Sequence, residues 1–264
     1  MRGSIFIAAA LLLAGGRAAA AEDAPICADR PGKATAACTV SNGRWQLEAG
    51  LADWSIQKSS GDRNSALALA ETTIKYGLTS SSDIELDVTP FERETTTFAG
   101  ITARASGIGD VNAVYKQRLT PSGAPLQLVA MPYVKIPIAK RSLSNGEWEG
   151  GVLLPISYAI AKSPLSIGAT PELDWVADGD GRGHHLAMTQ VISLGVQVSE
   201  KLNLSAELWG HWDWDHAGAT RQTTADVAAA YLVNRNFQLD AGANFGLNRA
   251  TPDLELYTGV SVRF

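Results

Sequence analysis

The C-terminal sequence DLELYTGVSVRF, residues 253 to 264, alternates between two kinds of side chain along its whole length. One set is almost entirely apolar and comprises Leu254, Leu256, Thr258, Val260, Val262 and Phe264. The intervening set is mostly polar and comprises Asp253, Glu255, Tyr257, Gly259, Ser261 and Arg263. Successive side chains of a β-strand point to opposite faces, so this stretch predicts a strand with one apolar and one polar face.

The same alternation recurs upstream, from Gly43 onward, with clear examples at residues 237–248, 202–214, 165–175 and 111–119. Turns rich in Gly, Ser, Asn, Asp or Pro separate the strands. Short turns alternate with longer loops, and the predicted longer loops include residues 58–64 and 92–106. The pattern predicts an all-β fold over residues 43–264, an antiparallel up-and-down arrangement of about twelve strands with both ends on the short-turn side.

Strand length and aromatic placement favour a transmembrane β-barrel over a soluble β-sandwich. Most of the strands reach the roughly 9 to 11 residues that a tilted membrane strand needs, whereas globular strands average about five or six. Aromatic residues of the apolar face collect near both strand ends, as Trp54, Trp175, Trp212 and Trp214 on the longer-loop side and as Trp45, Tyr76, Tyr115, Tyr158, Tyr231, Phe237 and Phe264 on the other. This arrangement predicts that the apolar face meets lipid and that the polar face encloses a lumen.

The N-terminus has the pattern of a secretory signal peptide, which we assign to residues 1–21. Arg2 precedes an apolar run, Ile5 to Ala14, and small residues lead up to Glu22. The apolar run is too short for a membrane helix, which needs roughly 20 residues. Export and barrel together predict the bacterial outer membrane as the location. Residues 22–42 are expected to form a periplasmic segment in which Cys27 and Cys38 pair as a disulfide. This segment could plug the lumen or form a periplasmic clip, and its small size favours the clip.

The charge balance of the chain disfavours nucleic-acid binding. Removing residues 1–21 removes two arginines and no acid, which leaves 20 basic against 27 acidic residues. If the polar face points inward, the predicted pore-lining residues are Glu48, Lys75, Glu85, Asp87, Asp110, Lys116, Arg118, Glu172, Asp174, Glu207, Asp226, Asp240, Glu255 and Arg263. They predict either an acid-leaning pore that prefers cations and polar neutral solutes, or cross-strand ion pairs that fill a narrow barrel.

Three short sequences carry a resemblance to a known family. IKYGLT at residues 74–79, SGIGDV at 106–111 and PYVKIP at 132–137 resemble the outer-membrane family named "MetA-pathway of phenol degradation". The resemblance implies a channel or transporter for small molecules, hydrophobic or aromatic compounds among them, and it brings no matched binding residues and no cofactor. Phe264 resembles the C-terminal aromatic residue that the barrel-assembly machinery recognises. The other implied partners are membrane lipids, lipopolysaccharide and the transported solute.

Two other classes of function remain open at this point, a hydrolase and a purely structural barrel. An outer-membrane hydrolase would need a Ser-His pair, but no Gly-x-Ser-x-Gly elbow is present and His211 is predicted to face the lumen, which leaves only a pair of His216 with a loop serine open. We therefore predict that the protein is not an enzyme. His184 and His185 follow Asp178 and Asp180, but their spacing matches no zinc or calcium template, so we predict a solvated extracellular turn and no metal.

Overall fold

The computed structural model describes residues 24–59 and 61–264, so the predicted signal peptide lies outside the described residues. No helix among them is long and apolar enough to cross a membrane. The strand segments are β1 Trp45–Ser59, β2 Asp62–Leu69, β3 Glu71–Gly77, β4 Ser82–Val88, β5 Phe91–Phe98, β6 Ile101–Gly107, β7 Val111–Arg118, β8 Leu126–Ile136, β9 Glu149–Leu153, β10 Ile156–Ala159, β11 Leu165–Ala177, β12 His184–Gln197, β13 Leu202–Asp213, β14 Thr220–Asn234, β15 Phe237–Gly246 and β16 Leu254–Arg263.

The segments form one closed antiparallel barrel. The first and last strands pair with each other, with Leu47 of β1 opposite Val262 of β16. Four pairs of segments, β2 with β3, β4 with β5, β6 with β7 and β9 with β10, are each one strand with a short interruption, because both members run beside the same neighbouring strand or strands. Within the described residues the barrel therefore has twelve strands, which confirms the predicted fold class.

Three of the four interruptions lie at residues that disturb a regular ladder. Ala70 between β2 and β3 has a positive φ of 57°. Pro90 follows β4 and Pro155 follows β9, and proline has no backbone N–H to donate to a neighbouring strand. Around Pro155 the wall nevertheless continues, because the Pro155 carbonyl accepts a hydrogen bond from the amide of Val129 at 3.0 Å.

Two of the predicted longer loops are wrong. Residues 92–106 form most of the β5–β6 hairpin, in which Thr97 pairs with Thr102 and the turn consists of Ala99 and Gly100. Both turn residues have positive φ, 49° and 81°, the geometry of a tight hairpin turn that matches strand twist. In residues 58–64 the strands β1 and β2 also continue almost to the turn. In both segments the two strands of the hairpin pair with each other, which extends the sheet beyond the predicted loop boundaries.

The barrel wall places apolar side chains outside and polar side chains inside. On β13, Leu208 is 57% exposed, whereas its neighbour Glu207 is 6% exposed. Along β12, too, the apolar side chain is exposed and the polar one is buried, since Ile192 is 55% exposed and Thr189 is buried. A soluble sandwich would bury the apolar set against a core, so this exposure pattern defines the outer surface as the one that meets lipid.

Candidate functional site

Residues 24–42, which we call the strap, lie inside the barrel. The amide of Ile26 donates to the Arg235 carbonyl at 2.8 Å in the short β14–β15 turn, and the amide of Val40 donates to Asp83 at 2.6 Å beside the β3–β4 turn. Between these two points the strap contacts inward side chains on opposite sides of the wall. The chain therefore enters from the short-turn rim, crosses the lumen and returns to the same rim.

This placement corrects the interpretation of the segment as a periplasmic clip. A short segment fills little of a wide lumen, but a twelve-stranded barrel encloses little space, so a single loop is enough to span it. The predicted disulfide between Cys27 and Cys38 is present and closes the base of the strap.

Asp29 binds the strap to the wall formed by β3 and β7. Its carboxylate accepts hydrogen bonds from the Lys75 ammonium and, at 2.6 Å, from the Lys116 ammonium. Its backbone amide donates to Glu48 at 3.0 Å. Burial alone would raise the pKa of Asp29, but the ammonium groups of Lys116 and Lys75 outweigh it and lower the pKa to about 2. Asp29 is therefore an anion at any physiological pH.

Arg30 and Lys33 bind the strap to the opposite wall. The Arg30 guanidinium lies 3.1 Å from the Asp240 carboxylate. The Lys33 ammonium donates to Thr224 at 3.0 Å and lies 3.9 Å from both Asp226 and Glu255.

Two further contacts hold Lys33 near the same wall. Its ammonium stands 4.4 Å above the Trp209 ring, a cation–π arrangement. The Glu207 carboxylate accepts a hydrogen bond of 2.7 Å from the backbone amide of Lys33. The tip of the strap is thus fixed through both its side chain and its backbone.

An apolar patch occupies one part of the interior. Ala37 of the strap packs with Val114, Val129 and Met131, and Tyr133 and Leu153 lie against this cluster. The sequence analysis did not predict these apolar side chains in the lumen, because it assigned only charged and polar residues to the inward face. The parity of β8 was the available signal, since Val129, Met131 and Tyr133 alternate with Leu128, Ala130 and Pro132.

A cavity of about 440 Å³ lies between the strap and this patch. Its apolar side consists of Val114, Met131, Tyr133 and Leu153, and its polar side consists of Asp29, Thr35, Thr73, Glu85, Asp87, Asn112, Lys135, Glu149 and Glu172. A second cavity of about 230 Å³ lies at Lys33 and Trp209. A larger hollow that includes Trp45, Ile74 and Tyr76 is bounded mainly by lipid-facing side chains, so we assign it to the outer surface.

The structure divides the predicted pore-lining residues into groups. One group lies at or beside the strap contacts described above and comprises Lys75, Lys116, Glu48, Glu85, Asp240, Asp226, Glu207 and Glu255. A second group, Asp87 and Glu172, lines the cavity of about 440 Å³. Asp174 accepts a hydrogen bond from the Tyr133 hydroxyl at 2.8 Å. Asp110 lies 3.6 Å from Lys135 and binds the amide of Ala139 in the β8–β9 loop.

Arg118 and Arg263 lie near the short-turn rim. Arg118 donates to the Ser80 carbonyl, and Arg263 donates to Asn236 at 2.7 Å. The amide of Phe264 donates to the Trp45 carbonyl at 2.8 Å, which completes the pairing of the chain ends. The role of Phe264 as an assembly signal stays a prediction.

His211, the residue considered for a hydrolase, faces the interior. Its Nδ1 lies 2.9 Å from the Thr189 hydroxyl and its ring stacks on Trp209 with centroids 5.9 Å apart. A lipid-cleaving site would have to face the membrane, and this imidazole does not.

A closed barrel with an apolar exterior and a polar, charged interior defines an outer-membrane β-barrel protein. The chain belongs to the family named "MetA-pathway of phenol degradation", whose profile matches residues 28–264. This match confirms the resemblance inferred from residues 74–79, 106–111 and 132–137.

Solved structures show the same fold. The COG4313 outer membrane channel from Pseudomonas putida F1 is similar, with a TM-score of 0.71, 15% identity and coverage of 89% of this chain and 99% of that chain. The translocator domain of the autotransporter NalP from Neisseria meningitidis has a TM-score of 0.53, 13% identity and coverage of 85% and 90%. No curated protein matches the sequence.

Proposed function

We propose that the protein is an outer-membrane channel that admits small hydrophobic or aromatic compounds and performs no catalysis. The observation that carries the proposal is the cavity of about 440 Å³ inside the barrel, apolar on one side and lined by carboxylates on the other. The likeness to the COG4313 channel supports the same type of activity.

The cavity has a suitable size and lining for a one-ring solute. Binding sites for small molecules usually occupy about 300–1,000 Å³ and combine apolar walls with a few polar groups. Met131, Tyr133 and Leu153 offer a surface for an apolar ring. Asp87 and Glu172 offer acceptors for a hydroxyl or amine that the ring carries. The excess of carboxylates disfavours anionic solutes.

The strap closes the direct path through the lumen. It is bound on one side to Lys75 and Lys116 and on the other to Asp240, so a solute that crosses the barrel must pass it or displace it. We propose that the predicted pore-lining charges act mainly by holding the strap, and that they give the open pore a preference for cations over anions.

Filling the cavity tests this function. Thr73 points into the cavity and its neighbour Thr72 points to the opposite face of β3, so Thr73→Trp and Thr72→Trp are matched variants. We expect liposomes with the wild-type protein to take up benzyltrimethylammonium, a one-ring solute whose fixed charge keeps it from crossing lipid unaided, faster than protein-free liposomes. Thr73→Trp should lower the protein-dependent rate at least fivefold, and Thr72→Trp should leave it unchanged.

Two outcomes would contradict the proposal. One is uptake that does not depend on the protein. The other is equal uptake by Thr73→Trp and Thr72→Trp, which would place the path of the solute elsewhere.

A further inference from the structure

Two loops on the longer-loop side bring together six aspartate and histidine side chains, five of which belong to groups that could hold a metal ion. Asp178, Asp180 and His185 belong to the β11–β12 hairpin, and Asp213, Asp215 and His216 belong to the β13–β14 hairpin. The sequence pattern showed only the first loop, in which the spacing of aspartate and histidine matched no known template. The fold supplies the other half of the cluster.

Asp178 is held in one position by its neighbours. His185 Nδ1 lies 2.8 Å from Asp178 Oδ1, and His185 Nε2 lies 2.7 Å from Asp213 Oδ1. The Asp178 side chain is only 8% exposed. Carboxylates that bind metal ions are commonly held in place by hydrogen bonds from neighbouring groups, as Asp178 is by His185.

Asp215 is fixed in a similar way. Its two carboxylate oxygens accept the backbone amides of Ala217 and Gly179, each at 2.7 Å. The Gly179 amide comes from the other loop, so Asp215 stands at the junction of the two hairpins. A side chain at Gly179 would place its Cβ 2.9 Å from Asp215 Oδ2, and this close approach explains the glycine.

His216 lies among three carboxylates without forming a hydrogen bond of normal length to any of them. Its Nδ1 is 3.5 Å from Asp215 Oδ1 and 3.8 Å from Asp178 Oδ1, and its Nε2 is 3.5 Å from Asp180 Oδ2. Ligand atoms bound to one zinc ion at roughly 2.0–2.1 Å in tetrahedral geometry are about 3.4 Å apart. The spacing in the cluster is therefore closer to that of a shared coordination shell than to that of direct hydrogen bonds.

We propose that Asp178, Asp180 and His216 form a binding site for a divalent transition-metal ion, with Zn²⁺ as the best chemical match. His185 positions Asp178, and Asp215, whose Oδ1 lies 3.5 Å from His216 Nδ1, stands within reach as a further ligand. The imidazole nitrogen favours Zn²⁺ over Ca²⁺ and Mg²⁺, which prefer all-oxygen sites. A bound ion would cross-link the two loops and neutralise part of their negative charge.

Zn²⁺ binding by the purified, folded barrel in detergent tests the proposal, with competition against a chelating dye as the readout. We expect one Zn²⁺ per chain, and at least a tenfold loss of affinity in His216→Ala and in Asp178→Asn. His184→Ala is the matched control, because His184 stacks on Trp175 and contacts the Trp148 carbonyl outside the cluster. Its Zn²⁺ affinity should equal that of the wild type.

The His216 side chain is 62% exposed, so His216→Ala tests the site without disturbing the fold. Equal Zn²⁺ affinity in the wild type and His216→Ala would overturn the proposal. So would displacement of Zn²⁺ by an equal concentration of Ca²⁺, since that result would show a site made by the aspartates alone.

Discussion

On the wall of β3 and β7 the strap presents an anion to cations, whereas on the wall of β13 to β16 it presents cations to anions. Asp29 meets Lys75 and Lys116 on the first wall. Arg30 and Lys33 meet Asp240, Asp226 and Glu255 on the second. The charges of the lumen are thus separated by side, and the strap carries the complementary sign toward each.

The two walls differ in how strongly they hold the strap. The side chains of Lys75 and Lys116 are 1% and 0% exposed, and both contact Asp29 directly. The Lys33 side chain is 24% exposed and lies 3.9 Å from its carboxylate partners. Charges attract more strongly where water is excluded, so the Asp29 contact is the firm one and the Lys33 contact is the weak one. We therefore expect the strap to release its Lys33 side-chain contact before its Asp29 contact.

The largest effect is expected from Asp29→Asn. The substitution leaves two buried ammonium groups with less compensating charge, and loss of one partner of a buried ion pair costs about 3–5 kcal/mol. Glu48 and Glu85 remain near Lys75, so we expect the lower end, about 3 kcal/mol. That free energy raises the population of released strap about 100-fold. Single-channel recordings in planar bilayers should show a much higher open probability.

Asp62→Asn is the control for this prediction. It makes the same substitution at the tip of the β1–β2 hairpin, where Asp62 contacts only the Ala99 amide at 3.3 Å among the hydrogen bonds found in the described residues. Its open probability should match the wild type. A closed channel in Asp29→Asn would show that the firm contact lies elsewhere.

The sequence predicts which side chains of the barrel wall face inward, but it does not predict the contacts of the strap with the two walls. The parity of residues 253–264 predicted which side chains face inward, and Ser261 and Arg263 are buried while Leu256 is exposed. Alternation is a local property that each strand carries independently, which is why it predicts a barrel wall. The strap contacts join Asp29 to Lys116 and Arg30 to Asp240 across the lumen, and no local pattern records which wall a loop will meet.

The candidate metal site shows the same limit. Asp178 and His185 lie in one hairpin and Asp215 and His216 in another, and only the pairing of β12 with β13 places the two hairpins side by side. The sequence also does not predict the interruptions of the strands. Ala70, for example, has a positive φ, but an alanine at this position does not disturb the alternation of apolar and polar residues.

Acid should also weaken the contact of Asp29 with Lys75 and Lys116, by slightly less than the substitution Asp29→Asn does. The pKa of Asp29 is about 2, against an ordinary value of 3.8, which corresponds to about 2 kcal/mol of preference for the bound carboxylate. Because the bound pKa is the lower one, this stabilisation is complete above about pH 4 and is lost as the pH falls through 2. The open probability of the wild type should approach that of Asp29→Asn between pH 4 and pH 2. A difference between the two that persists at pH 2 would contradict the assignment.

The smallest effect is expected from Lys33→Gln, which removes the ammonium group on the weak side and leaves the backbone contact to Glu207 in place. Partly exposed ion pairs contribute about 0–1 kcal/mol, so the open probability should rise less than about fivefold. Salt screens such pairs, and the difference from the wild type should therefore shrink between 0.1 M and 1 M salt, roughly the range over which the screening length falls from 10 to 3 Å.

Arg30→Gln is the matched comparison on the same wall. Arg30 bonds directly to Asp240, a side chain with 0% exposure, so the effect of Arg30→Gln should be larger and less sensitive to salt. If Lys33→Gln opened the channel as much as Asp29→Asn, the order of release would be reversed, and the wall of β13 to β16 would be the one that keeps the strap in the lumen.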